Sequence, residues 1–142
     1  MSDSTDDPIG IPNSTRLFRR ISPYWVVYDK NRGEKRPSSQ NFQNSKDETG
    51  MSVYAENVVI ATGEVPADFL RGRWSAWYLA AIPAGWMREC GQRVYLDFDS
   101  QDADDINPAH AAVAGDKPTK IRSKLGERFE WVVAPPVGSG QD

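Results

Sequence analysis

Apolar residues, aromatic and β-branched among them, recur between arginines from Arg16 to Ile21 ("RLFRRI") and crowd the stretch from Tyr24 to Asp29 ("YWVVYD"). Together they predict two short strands, or one strand bent at Ser22-Pro23. A long polar connection follows, "KNRGEKRPSSQNFQNSKDETG", punctuated by Gly33 and Pro37. A loop of that length in a small domain is more often functional or mobile than a plain spacer. Ser52 is placed to cap a helix, with Val53, Asn57 and Ile60 or Tyr54, Val58 and Ala61 lining one face until Gly63 stops it. Pro66 opens a short turn that Gly72 closes.

Further along, "WSAWYLAAIP" predicts a buried strand closed by Pro83, and "AGWMRECG" a short helix closed by Gly91. "RVYLDFD" sets Val94, Leu96 and Phe98 against Arg93, Tyr95 and Asp97, the mark of a half-exposed strand. In "INPAHAAVAG", Asn107 can cap a short helix that begins at Pro108. "KPTKIRSKLGERF" predicts a last helix and "FEWVVAP" a last strand. Helices and strands in irregular order, without an internal repeat, predict an α+β fold. The expected architecture is a single small domain over residues 15–134, with a mixed or antiparallel sheet and three to four short helices. Residues 1–14, polar and broken by Pro8, Gly10 and Pro12, read as a disordered acidic arm, and 135–142 as a flexible tail.

Composition narrows this picture. A chain of 142 residues is one domain by size, and an 11% aromatic content supplies the apolar surface for one core. The longest apolar run, Trp74 to Met87, is interrupted by Ser75, Pro83 and Gly85 and falls short of the roughly 18 to 20 residues of a membrane span. The N-terminus is acidic where a signal peptide is basic, so the expectation is a soluble, cytoplasmic protein. The single cysteine, Cys90, cannot form an internal disulfide.

The net charge of -3 hides an asymmetry: residues 15–37 carry seven bases against two acids, and the rest of the chain is acidic. A local basic patch on an acidic protein attracts phosphate-like or carboxylate partners. Duplex binding is disfavoured, because nucleic-acid-binding domains have a pI above about 9 and this chain's is near 5.2.

Candidate chemistry gathers in "RPSSQNF". Arg36 offers a planar fork suited to phosphate or carboxylate, Ser38 and Ser39 can donate to an oxyanion, and Phe42 can form an apolar wall. The competing interpretation is a polar turn whose hydroxyls satisfy their own backbone. Arg19 and Arg20 are adjacent on a strand and so point to opposite faces; one that faced the core side would need an acidic partner or a bound anion. Ser52, with Gly50, stands at an expected helix start, which favours anions. His110, the only histidine, can act as a base or a ligand donor, or can simply pack. A single anion-accepting pocket of Arg19, Arg36, Ser38, Ser39, Ser52 and His110 is the site expectation.

Metal and cofactor chemistry find no motif. An EF-hand loop counted from Asp97 puts Asp102 where glycine belongs and Pro108 where glutamate belongs. One His and one Cys exclude the usual zinc sets within one chain. A serine hydrolase would carry a G-x-S-x-G elbow, and none exists.

An Arg-rich first strand, "RPSS" followed by Phe42, "MSV", "IPAGW", "NPAHAAVAG" and a basic final helix, in this order over roughly residues 16–133, resemble a group of short bacterial proteins of unassigned activity. The resemblance implies a bacterial or phage-related protein and supplies no mechanism. A looser likeness to ADP-ribosyltransferase-like folds rests on the early-strand Arg, Ser-Ser-x-x-Phe and Ser-Val-Tyr; the acidic motif of such enzymes is not evident. Few catalytic groups, five tryptophans and segregated charge favour a noncatalytic protein-binding component of a bacterial or phage-related system, of the defence or toxin-antitoxin kind. It would carry a small anion-accepting pocket. The alternative is an ADP-ribosyltransferase-like or other nucleotide-directed enzyme. The expected partners are another bacterial protein and a small anionic ligand, with no cofactor, no membrane and no nucleic acid.

Overall fold

In the computed structural model, which describes residues 10–42, 50–96 and 108–135, the segment Arg16–Ile21 is strand β1 and runs through the middle of a sheet. Its period of two sends Leu17 and Ile21 into one core cluster and Phe18 into the other, so β1 is packed on both faces. Its neighbours are β4 (Gly50–Ala55) and β5 (Tyr78–Pro83). β7 (His110–Ala114) pairs with β4, β6 (Arg93–Leu96) with β7, and β8 (Glu130–Val133) with β5. All five pairings of this six-stranded sheet, in the order β6-β7-β4-β1-β5-β8, are antiparallel. The fold is α+β, a small single domain built on an antiparallel sheet, with three short α-helices among the described residues.

Helix α2 (Ala84–Glu89) and α3 (Thr119–Arg128) place Met87 and Leu125 in the larger cluster, where Phe42 stacks on Phe129 with ring centres 4.7 Å apart. α2 starts where Pro83 ends β5, and its first N–H groups find acceptors in the chain before β1: Ala84 donates to the Thr15 carbonyl and Gly85 to that of Asn13. On the opposite face, α1 (Glu56–Ala61) and the 3-10 turn Pro66–Phe69 bring Val59 and Phe69 onto Phe18, Tyr54 and Leu79. Glu56, in the first turn of α1, binds Arg16 through both carboxylate oxygens, at 3.1 and 2.7 Å.

Beside this sheet stands a separate two-stranded ribbon, β2 (Val26–Asp29) with β3 (Glu34–Pro37). Asp29 builds its turn: Oδ1 accepts from the N–H groups of Asn31 and Arg32, and Gly33 supplies the φ of +71° that closes it. Gly126 of α3 lies directly against the end of β3, since a Cβ there would come within 2.8 Å of the Pro37 carbonyl oxygen.

Several sequence expectations need correction. The helix expected from Ser52 is strand β4 up to Ala55, and helix begins only at Glu56. The helix expected from Pro108 is strand β7, with pairs on both sides and every residue buried. The polar connection after Asp29 contains β3 and the 3-10 turn Ser39–Asn41. At the edge of the expected arm, Ile11 is fully buried and Arg88 donates to the Ile11 carbonyl and the Asn13 side chain at 2.7 Å each, while Pro12, Asn13 and Ser14 are exposed. The remainder of that arm, the Asn107 cap, the acidic run from Asp97 and the residues after Pro135 lie outside the described residues. No helix among the described residues is long and apolar enough to cross a membrane.

Candidate functional site

The ladder between β1 and β4 holds the pairs Leu17–Ala55 and Phe18–Tyr54 and then opens. Arg19 reaches across the opening. Its Nη1 donates to the Ser52 carbonyl at 2.6 Å and its Nε to the Asn41 carbonyl at 2.9 Å, so a side chain spans the place where backbone pairs stop. Burial of the guanidinium lowers its pKa to about 10; Tyr54 opposes and Arg20 pushes the same way as burial.

Arg20 points to the other face. There it donates to the Phe69 carbonyl (2.6 Å) and the Tyr54 hydroxyl (2.9 Å), and its guanidinium carbon lies 3.5 Å from the centre of the Trp74 ring. Arg73 also approaches Trp74, at 4.4 Å. Such cation–π contacts are worth about 0.5 to 2 kcal/mol according to how far the cation is desolvated, and here they fix Arg20 at the mouth of a cleft. The cleft, about 160 Å³, is lined by Arg19, Arg20, Ser52, Tyr54, Trp74 and Trp77.

Ser52 and His110 meet because β4 and β7 are antiparallel neighbours. Tyr54 pairs with His110 and Ser52 with Ala112, so Ser52 and His110 are diagonal neighbours on one face. The Ser52 hydroxyl and His110 Nε2 share a hydrogen bond of 3.2 Å, and the Tyr54 ring meets the imidazole edge-on. The half-buried ammonium of Lys117 feels the Arg19 charge, opposed by Asp116.

The remaining expected site residues stand elsewhere. Arg36 binds Asp29 at 3.0 Å and its neighbour's carbonyl, Pro37 O, at 3.2 Å, as part of the ribbon. Ser38 caps the 3-10 turn by accepting from the Gln40 N–H, the behaviour of a polar turn, and Ser39 is the first residue of that turn. "RPSSQNF" therefore touches the cleft through the Asn41 carbonyl on Arg19, while Phe42 goes to the core. Arg19, Ser52 and His110 are brought together, with Ser52 on a strand instead of at a helix start. Sequence reasoning omitted Tyr54, Trp74, Trp77 and Lys117. The β1–β4 register sets Arg20 and Tyr54 on one face with Ser52, a relation open to sequence reading only had "MSVYA" been taken as a strand; nothing local marked the two tryptophans or Lys117.

A second surface feature lies on the ribbon and the turn before it. Tyr24 is 90% exposed, and Trp25, Val27 and Tyr28 are also exposed. Beneath them a hollow of about 120 Å³ is lined by Val26, Val27, Tyr28, Lys35 and Tyr78, among others. Among the described residues no group of three or more His, Cys, Asp or Glu could hold a metal ion. No family model, curated protein or solved structure matches the chain.

Proposed function

We propose that this chain is a noncatalytic recognition protein of a cytoplasmic bacterial or phage-related system, and that it binds another protein through the β2–β3 ribbon. The observation that carries this is four exposed apolar side chains, Tyr24, Trp25, Val27 and Tyr28, within five consecutive residues of the ribbon and the turn before it. Val27 and Tyr28 are consecutive on a strand and therefore face opposite ways, yet both are exposed. Exposed Ile60 and Val65 are single positions of the ordinary kind, whereas four exposed apolar side chains within five residues support an interaction site. Lys30, Arg32 and Lys35 flank the aromatics, while the ribbon's own acids are engaged, Asp29 with Arg36 and Glu34 with Arg32. The partner chemistry this suits is an apolar strip bordered by acidic side chains, with one side chain entering the hollow under Tyr28.

The test compares capture from the native host by the wild type and by a Tyr24→Ser, Tyr28→Ser variant of equal thermal stability. A stoichiometric protein retained by the first and lost by the second is the expected result. Equal retention by both would remove the ribbon as the binding surface. The alternative, a nucleotide-directed enzyme, draws on the Ser52–His110 hydrogen bond beside two guanidinium groups. Turnover of a nucleotide that disappears in His110→Ala would establish it in place of the noncatalytic role.

A further inference from the structure

Bonded and unbonded pairs alternate along an antiparallel ladder. The Ser38 N–H donates to the Trp25 carbonyl at 2.9 Å, one step before the Val26–Pro37 pair, so the bonded pairs of the ribbon are Trp25–Ser38, Val27–Arg36 and Asp29–Glu34. Pro37 falls in an unbonded pair, where its missing N–H costs the ribbon nothing. Val26 and Tyr28 therefore turn their N–H and C=O groups away from β3. The far edge of β3 is covered: the Lys35 carbonyl accepts from the Trp131 indole Nε1 at 3.0 Å, and the Pro37 carbonyl oxygen lies against Gly126. The far edge of β2 is open, since among the described residues no hydrogen bond reaches the main-chain groups of Val26 or Tyr28 on that side. An open edge is a template for another strand.

The hollow of about 120 Å³ runs beside this edge. Neighbouring residues of a strand alternate faces, so a space lined by Val26, Val27 and Tyr28 in succession follows the strand's edge; Tyr78 and Pro135 also line it. Its charge is cationic. Lys35 lines the hollow and Lys30 is exposed just past β2, and among the described residues neither has an acidic partner, whereas Asp29 and Glu34 are bound by Arg36 and Arg32. A second copy of the chain would bring the same cations to the same edge, while a strand carrying acidic side chains complements it. Resting on the ribbon as the recognition surface, we propose that the partner binds by strand addition. An extended segment of alternating apolar and acidic residues lies along β2 and exchanges main-chain hydrogen bonds with Val26 and Tyr28, with one apolar side chain in the hollow and a carboxylate at Lys35.

Three capped hexapeptides probe the edge: alternating valine and glutamate, alternating valine and lysine, and the valine–glutamate peptide N-methylated at every residue. NMR titration of the full chain should show saturable binding of the first, with hydrogen exchange slowed at the Val26 and Tyr28 amides and unchanged at Val27, whose N–H already faces β3. The lysine peptide should bind at least about tenfold more weakly, and the methylated one not at all. In Lys35→Glu the order of the two charged peptides should reverse. No saturable binding of the valine–glutamate peptide, binding that leaves the Val26 and Tyr28 amides unprotected, or equal binding of the methylated peptide overturns the proposal. So does protection of those amides that grows with protein concentration in the absence of peptide, since a second copy would then hold the edge. The test needs no native partner: its failure leaves a ribbon that recognises proteins through side chains alone, and a failed capture from the host leaves the peptide result standing.

Discussion

The ammonium of Lys117 donates to the carbonyls of Val113 at 2.7 Å and Gly115 at 3.1 Å, yet burial and the nearby Arg19 charge lower its pKa from 10.5 to about 8, against an opposing pull from Asp116. Between those two values the unfolded chain holds a proton that the folded one has released, so stability rises with pH across that window. Below pH 8 the full cost of the buried charge is present. Urea unfolding from pH 7.5 to 10.5 should show this rise, on the order of 1 kcal/mol once solvent screening of a partly exposed amine is allowed for. In Lys117→Met this contribution should vanish, and an unchanged slope would mean that the amine is well solvated. At this scale the sequence exposed part of the site. That Arg19 and Arg20 point to opposite faces was legible, because side chains alternate along a strand, and one turned toward the core side needs polar partners. Arg36 and Ser38 were misleading, because their polar character serves the ribbon and its turn.

Helix α3 and the end of β3 approach so closely that one glycine decides their spacing. In a free helix Gly126→Ala would gain up to about 1 kcal/mol from propensity. Here the added methyl meets the Pro37 carbonyl oxygen at 2.8 Å and Arg36 Nη1 at 3.1 Å. The carbonyl belongs to the backbone and cannot swing aside, so the substitution should cost about 1 to 3 kcal/mol net by overpacking, read as a lower thermal midpoint. A midpoint equal to or above that of the wild type would show that α3 and the ribbon separate freely. Among the elements, β1, β5, β6, β8, α2 and α3 were legible because each buries one face or one apolar run. β4 and β7 were not. "MSVYA" begins with a preferred cap residue and "HAAVA" is rich in the best helix former, so local signals pointed to helix. Pairing overrode them: β7 lies between β4 and β6 with all five residues buried, and small alanines are what fit there. β3 was hidden because "EKRP" is polar, as a ribbon standing beside the main sheet permits.

Across the whole molecule, the six strands divide unevenly at the opening spanned by Arg19. β4 meets β7 over five residue pairs and β1 meets β5 over six, whereas β1 and β4 share the two pairs Leu17–Ala55 and Phe18–Tyr54. Hydrogen exchange should therefore alternate along residues 19–21, with amides turned toward β5 slow and those turned toward β4 fast. Uniformly slow exchange there would mean that the ladder is closed in solution. Mechanically, the sheet is two three-stranded plates, β6-β7-β4 and β1-β5-β8, joined along a short weld. The weld is not the plates' sole tie: Arg88 of α2, the helix that follows β5, donates to the Val94 carbonyl of β6 at 3.0 Å, so rotation about the short seam is braced at its far edge.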